Sequence, residues 1–274
     1  MTGNIISRVA LGRIYNKRES GIDAKNILAE FLHLLGTFNV RDFIPWLEWV
    51  NKITGLDTKV EKVAKKLDTF LESVIEEHII RNNKEEYSTG EAKDFVDVLL
   101  EIQNGKETGF RLQRDSLKAI LLDIFAAGTD TTYTTLMWIM AELLRHPRVM
   151  ETLHNEVRGL AQGKLAEITE DDLGNMHYLK AVIKETLRLH PLLVPRESTQ
   201  DIKLLGYQIP AKTQVIINAW TVGRDPVSWE NPEDYRPERF LNSDIDFKGL
   251  NFELIPFGAG RRGCPGTAFA VVIK

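Results

Sequence analysis

Apolar residues recur at helical spacing along most of the chain, and the polar stretches between them mark the element boundaries. From Asp57 onward, Val60, Val63, Leu67, Phe70, Leu71, Val74 and Ile75 fall on one face, with lysines and glutamates on the other. That pattern predicts an amphipathic helix lying over a core. Shorter helices are predicted over 2–12, ending near Gly12, over Ala24 to Leu35, and over Phe95 to Gln103 behind an Asp94 cap. Asn39 to Trp46 is apolar and aromatic without a period, so it reads as a loop or short turn. Asn82 to Lys93 is polar and carries a glycine, which predicts a flexible surface connection.

Leu117 to Arg145 is apolar nearly all round and reads as one long helix crossing the middle of a domain, with Asp115 as N-cap and His146-Pro147 as its stop. A membrane span is excluded there, because Asp123, Gly128, Thr129, Asp130, Thr131 and Thr132 interrupt the apolar run too heavily. Val149 to Leu160 predicts another amphipathic helix, Thr169 caps a helix start rich in acids, and Tyr178 to His190 predicts a helix ended by Pro191. Pro191 to Pro195 is a proline-bracketed, extended apolar run. Ile202 to Leu205 and Val215 to Trp220 predict a small antiparallel strand pair, and 223–232 reads as loop material. The fold class is therefore mainly α with a small antiparallel β portion.

Composition narrows the function classes. Apolar content of 43% and charged content of 27% suit a globular chain with a real core. A net charge of −4 argues against nucleic acid as a partner. One cysteine excludes an internal disulfide framework and fits a reducing compartment. No run of about 18 apolar residues occurs, and the first residues form neither a signal nor a transit peptide.

The single cysteine, Cys264, lies in Phe257-Gly258-Ala259-Gly260-Arg261-Arg262-Gly263-Cys264-Pro265-Gly266. A lone cysteine is usually a small buried hydrophobe. Here glycines flank it on both sides, so the backbone can turn sharply and approach something flat and bulky. Pro265 suits the first position of a helix, which would place Cys264 at a helix N-terminus. There the dipole, with Arg261 and Arg262, favours a thiolate, the form an axial ligand to haem iron needs.

Phe257, Gly260, Arg262, Cys264 and Gly266 fill the pattern Phe-x-x-Gly-x-Arg-x-Cys-x-Gly, which resembles the haem-binding loop of the cytochrome P-450 family. Three further stretches resemble that family in the same order. Ala127-Gly128-Thr129-Asp130-Thr131-Thr132 is similar to its distal-helix signature, Lys184 to Pro191 to its Glu-x-x-Arg helix, and Pro237-Glu238-Arg239-Phe240 to its PERF segment. The details look most like plant microsomal members. The resemblance implies a single partial domain over 1–274, with the distal helix at about 116–145, the Glu-x-x-Arg helix at about 178–190 and the haem loop at 257–266. It also implies a chain truncated at both ends, lacking an N-terminal membrane anchor and the closing C-terminal strands.

By the same resemblance Cys264 is the iron ligand, and Arg262 and Arg196 are haem-propionate partners. Phe257, Gly258 and Gly266 shape the cofactor site, and Asp130 and Thr131 relay protons to bound dioxygen. Ala127, Gly128, Leu193 and Val194, with Leu192 beside them, line the substrate pocket; Glu185, Arg188 and Arg239 form a buried structural triad. The implied activity is a haem-thiolate monooxygenase using haem b, O2 and a small lipophilic substrate. Electrons would come from NADPH through NADPH-cytochrome P-450 reductase, at the cytosolic face of the endoplasmic reticulum membrane. Two alternatives stand beside it: a non-catalytic fragment that holds no haem, and a haem-thiolate isomerase or dehydratase. The Asp130-Thr131 pair argues against the second, since such enzymes have no use for a proton relay.

Overall fold

A computed structural model describes residues 2–15, 23–83, 93–105, 112–161, 169–192 and 195–267. The chain divides into two compact units, 1–130 and 131–274. The described residues are mainly helical: α1 (Thr2–Leu11), α2 (Ala24–Leu35), α3 (Val40–Phe43), α4 (Trp49–Thr54), α5 (Leu56–Asn82), α6 (Phe95–Asn104), α7 (Arg114–Arg145), α8 (Pro147–Ala161), α9 (His177–Leu189) and α10 (Ala219–Val222). Among them no helix is long and apolar enough to cross a membrane.

In the first unit α5 is the organising helix. Val63, Leu67, Phe70, Leu71, Val74 and Ile75 are buried as the periodicity requires, while Val60 stays exposed near the helix start. Polar groups lock α5 to the first turns of α7: Glu72 accepts from Arg114 and Lys118, and Asp68 accepts from Lys118. These bonds hold the Glu72 carboxyl down at about 2, the Arg114 hydrogen bond being the largest cause. α7 starts at Arg114, so Asp115 lies in its first turn, where it complements the dipole, and is not its cap. Residues 39–54 are more ordered than a loop. Asn39 caps α3 by accepting from the Arg41 amide, a 3-10 turn follows at Pro45–Leu47, and α4 ends on left-handed Gly55. This segment leaves Phe43, Trp46, Trp49 and Ile53 exposed, as is Phe38 just before it. The connection expected over Asn82 to Lys93 lies mostly outside the described residues.

The second unit packs around α9. Val182 and Leu187 of α9 share a core with Ile139 and Leu143 of α7 and Val149 and Leu153 of α8, against which Phe247 and Phe257 lie. Each such side chain taken out of water is worth ~1.5–3 kcal/mol. Polar bonds fasten the C-terminal ends of α7 and α9: His190 Nε2 donates to the buried Glu142 carboxylate at 2.9 Å, and the His190 ring stacks on Trp138 at 3.8 Å. Thr169 and Asp172 form a capping box, but it opens a 3-10 turn over Glu170–Asn175.

The strands pair differently from the expected arrangement. β2 (Ile202–Leu204) pairs with β3 (Tyr207–Ile209) across a two-residue turn, while β1 (Arg196–Glu197) pairs with β4 (Gln214–Val215). Leu205 and Gly206 both have positive φ, which suits a tight hairpin whose twist matches its strands. Beyond Val215 the chain leaves the strand and enters α10.

Candidate functional site

The second unit carries the glycine-rich loop, and its backbone is closed on itself. The Cys264 N–H donates to the Phe257 carbonyl at 2.9 Å, and the Gly263 N–H donates to the Gly260 carbonyl at 3.0 Å. Gly258 (φ 71°) and Gly260 (φ 69°) sit in the left-handed region, where a side chain would be strained. Gly258 has a second reason to be glycine: a Cβ there would lie 3.3 Å from Arg196 Nη2. That nitrogen donates to the Arg262 carbonyl at 3.0 Å, so the residue that opens β1 braces the cysteine loop. Phe257 anchors the loop from behind, edge-on to Phe247 with ring centroids 5.4 Å apart. The Thr267 hydroxyl donates to the Cys264 carbonyl at 2.9 Å.

The Cys264 thiol itself is exposed. It lines a cavity of about 720 Å³ together with Phe257, Gly258, Gly263, Lys184 and Phe247. Gly266 lies close by, since a Cβ on it would meet Sγ at 3.8 Å. The helix expected behind Pro265 lies mostly outside the described residues, which stop at Thr267.

Behind the loop, α9 presents two charged side chains with no solvent exposure. Arg188 forks onto Glu185, Nε to Oε2 at 2.7 Å and Nη2 to Oε1 at 2.8 Å. Arg239, from the 3-10 turn Pro237–Phe240, donates Nε to the same Oε1 at 3.1 Å, and the Arg236 N–H adds a bond at 2.8 Å. The three residues read from the sequence as a triad are therefore in contact. The remaining donors of Arg188 go to the carbonyls of Gly223, Pro232 (2.7 Å) and Asp234 (3.1 Å). Both guanidiniums stand over the Trp229 ring, at 5.3 Å and 5.9 Å. The stretch 223–232, whose sequence reads as loop material, supplies the Gly223 and Pro232 carbonyls and the Trp229 ring. Its signal was Gly223: a Cβ there would lie 2.3 Å from the Arg188 carbonyl, so only glycine permits the approach.

α7 carries the acid–alcohol motif and stays helical through it. Asp130 and Ala127 are exposed, Thr131 is half-buried and Thr132 is buried. Hydroxyls bond back along the helix, Thr129 to the Phe125 carbonyl at 2.7 Å and Thr135 to the Thr131 carbonyl at 2.9 Å. Gly128 is occupied differently from the expectation that it leaves room for ligand. In the first unit its bare face meets Ile6 of α1, whose Cδ1 would lie 3.1 Å from an added Cβ. Leu193 and Val194 lie outside the described residues, and neighbouring Leu192 is exposed.

A family model described as Cytochrome P450 matches residues 1–273. The chain belongs to the cytochrome P450 family. It is 76% identical over 278 residues to Cytochrome P450 71A4 of Solanum melongena, covering all of this chain and 55% of that protein. Norfluorocurarine oxidase of Strychnos sp is 56% identical over 281 residues, with 100% of this chain and 55% of the relative covered. (+)-Menthofuran synthase of Mentha piperita is 49% identical over 276 residues, with 100% and 54% covered. This cytochrome P450 chain thus spans about half the length of the relatives it matches. A zebra fish cytochrome P450 solved with progesterone superposes with a TM-score of 0.77 at 26% identity, over 98% of this chain and 59% of that one. The fold is that of the family, and the plant relatives agree with the plant-type character of the motifs.

Proposed function

We propose that this chain is the haem-binding portion of a monooxygenase that inserts one oxygen atom of O2 into a small lipophilic substrate. The observation that carries the reading is Cys264: the one thiol of the chain stands exposed on a loop pinned by its own backbone and braced by Arg196. The donor set fits haem b, since a thiolate ligates iron and the guanidiniums of Arg262 and Arg196 match the carboxylates of the macrocycle. Haem, when bound, supplies the activation of O2 that no side chain can provide.

The chain's own residues then have separable tasks in this proposal. Cys264 holds the metal, Arg262 and Arg196 hold the propionates, and Phe257 with Gly258 and Gly266 fixes the loop's path. Exposed Asp130 takes protons from solvent, and the half-buried Thr131 hydroxyl passes them inward. Ala127, with Leu193 and Val194, faces the substrate. Glu185, Arg188 and Arg239 keep the backing of the loop rigid. NADPH would deliver electrons through a flavoprotein reductase, and the whole protein would sit at the endoplasmic reticulum membrane.

The test is isotopic. A full-length parent carrying these residues, supplied with NADPH, reductase and 18O2, should place one labelled atom in each oxygenated product molecule. A redox-neutral product formed without NADPH, or product oxygen drawn from labelled water, would instead favour an isomerase or dehydratase.

A further inference from the structure

His78, on the last turns of α5, is buried with only 3% of its side chain exposed, and both ring nitrogens face acceptors. Nδ1 lies 2.7 Å from the Val74 carbonyl and Nε2 lies 2.9 Å from Asp94 Oδ2. A carbonyl and an ionised carboxylate can only accept, so both contacts are hydrogen bonds only when the ring carries both protons. Asp94 is itself ionised. Its Oδ2 also accepts from Arg81 Nη2 at 3.1 Å, and its Oδ1 accepts from the Asp97 N–H at 3.1 Å.

Three elements meet at this pair. Asp94 and Asp97 form the capping box that starts α6. Arg81 Nη2 bonds both oxygens of Asp97, at 2.8 Å and 2.7 Å, and Asn82 donates to Oδ1 at 3.0 Å. A guanidinium thus fills the space that His78, Asp94 and Asp97 would otherwise offer to a metal ion. From α1 comes Gly12, whose backbone has φ 78°; a Cβ there would lie 2.4 Å from Asp94 Oδ2 and 3.1 Å from His78 Nε2. The chain just beyond Gly12 is held to α5 as well, since Arg13 and Tyr15 donate to Glu77.

We propose that His78 is a proton-operated latch: with both ring nitrogens protonated it fastens the start of α6 to α5 through Asp94, and loss of one proton weakens that hold. The surroundings set the direction. Burial disfavours the charge and Arg81 opposes it, but the bonds to Asp94 and to the Val74 carbonyl outweigh both and raise the ring above its ordinary 6.5. Asp94 moves the other way and is held below its ordinary 3.8, with burial opposed by the bond from His78. For a raised histidine the stabilisation is complete below about pH 6.5, where the unfolded ring is also charged, and disappears as pH rises through the folded value.

The experiment is a long-range 1H–15N correlation of histidine-labelled full chain across a pH titration, paired with amide exchange at Val96 to Val98. The latch predicts two protonated nitrogens on His78 at neutral pH and a midpoint above 6.5. It also predicts that protection of the α6 first turn falls by about tenfold for each unit the midpoint is raised, relative to His78→Gln over the same range. A midpoint at or below 6.5, or a His78→Gln chain with the same pH dependence as wild type, overturns the proposal. If His78→Gln does not fold, the wild-type titration alone decides. None of these readings requires haem, so they stand apart from the test of the monooxygenase assignment.

Discussion

Replacing Arg188 by lysine keeps the charge behind the cysteine loop and removes its shape. The native guanidinium makes five hydrogen bonds, two to Glu185 and one each to the carbonyls of Gly223, Pro232 and Asp234. A lysine ammonium has three donors from a single point, so at least two of the five bonds are lost in a site without solvent. Each buried acceptor left without a partner costs about 1–3 kcal/mol, giving about 2–6 kcal/mol in all. At about 2–4 °C per kcal/mol, the expected fall in Tm is about 10 °C. Thermal unfolding followed by circular dichroism gives the global loss. Tryptophan fluorescence includes a reporter at the site, because Trp229, one of five tryptophans, lies under the substituted group. A shift below about 2 °C would refute the reasoning, since the network would then contribute less than about 1 kcal/mol.

Four further outcomes follow from the same geometry. Gly223→Ala forces a Cβ to within 2.3 Å of the Arg188 carbonyl, and the required backbone movement should cost about 1–3 kcal/mol in urea unfolding. Gly128→Ala meets the flexible tip of Ile6 at 3.1 Å; the loss should be below about 1.5 kcal/mol and be partly recovered by adding Ile6→Val. Glu72, held down at about 2, contributes stability that is present above its ordinary 4.5 and is lost as pH falls between the two values. Glu72→Gln should therefore flatten the acid limb of the stability curve, by less than about 1 kcal/mol because the pair is solvated. Cys264→Ala should leave Tm within about 1 °C, because the thiol is exposed and its backbone bond to Phe257 remains.

Most of the helical framework was legible because it rests on local signals. α2 spans Ala24–Leu35 as its periodicity predicts, and α5 buries the face that its heptad-like spacing marks out. α9 and α7 were placed to within a few residues, their ends fixed by proline after His190 and at Pro147. What failed was non-local. The partner of β2 is β3, chosen by the short turn at Leu205 and Gly206, whereas the longer-range pairing was expected. Residues 40–54 form two short helices that bury no apolar side chain fully, so no buried face imposes a period to read. Gly128 looked like space for a ligand, but which neighbour fills the space beside a glycine depends on α1, which periodicity does not position. The candidate site was legible at Cys264, Glu185, Arg188 and Arg239 because each sits in a spaced motif. The carbonyls of Pro232 and Asp234 that complete Arg188 carry no side-chain signature, and at Gly223 the only trace is the glycine itself.

The central claim is that Cys264 presents a thiolate to haem iron. The most direct measurement is the absorption spectrum of the reduced, CO-treated chain after haem reconstitution, run beside Cys264→Ala. A strongly red-shifted Soret band in the wild type that vanishes in the variant is the predicted result. The same red-shifted band in both proteins would contradict the assignment of Cys264, and a haem-loaded wild type without it would contradict thiolate ligation altogether.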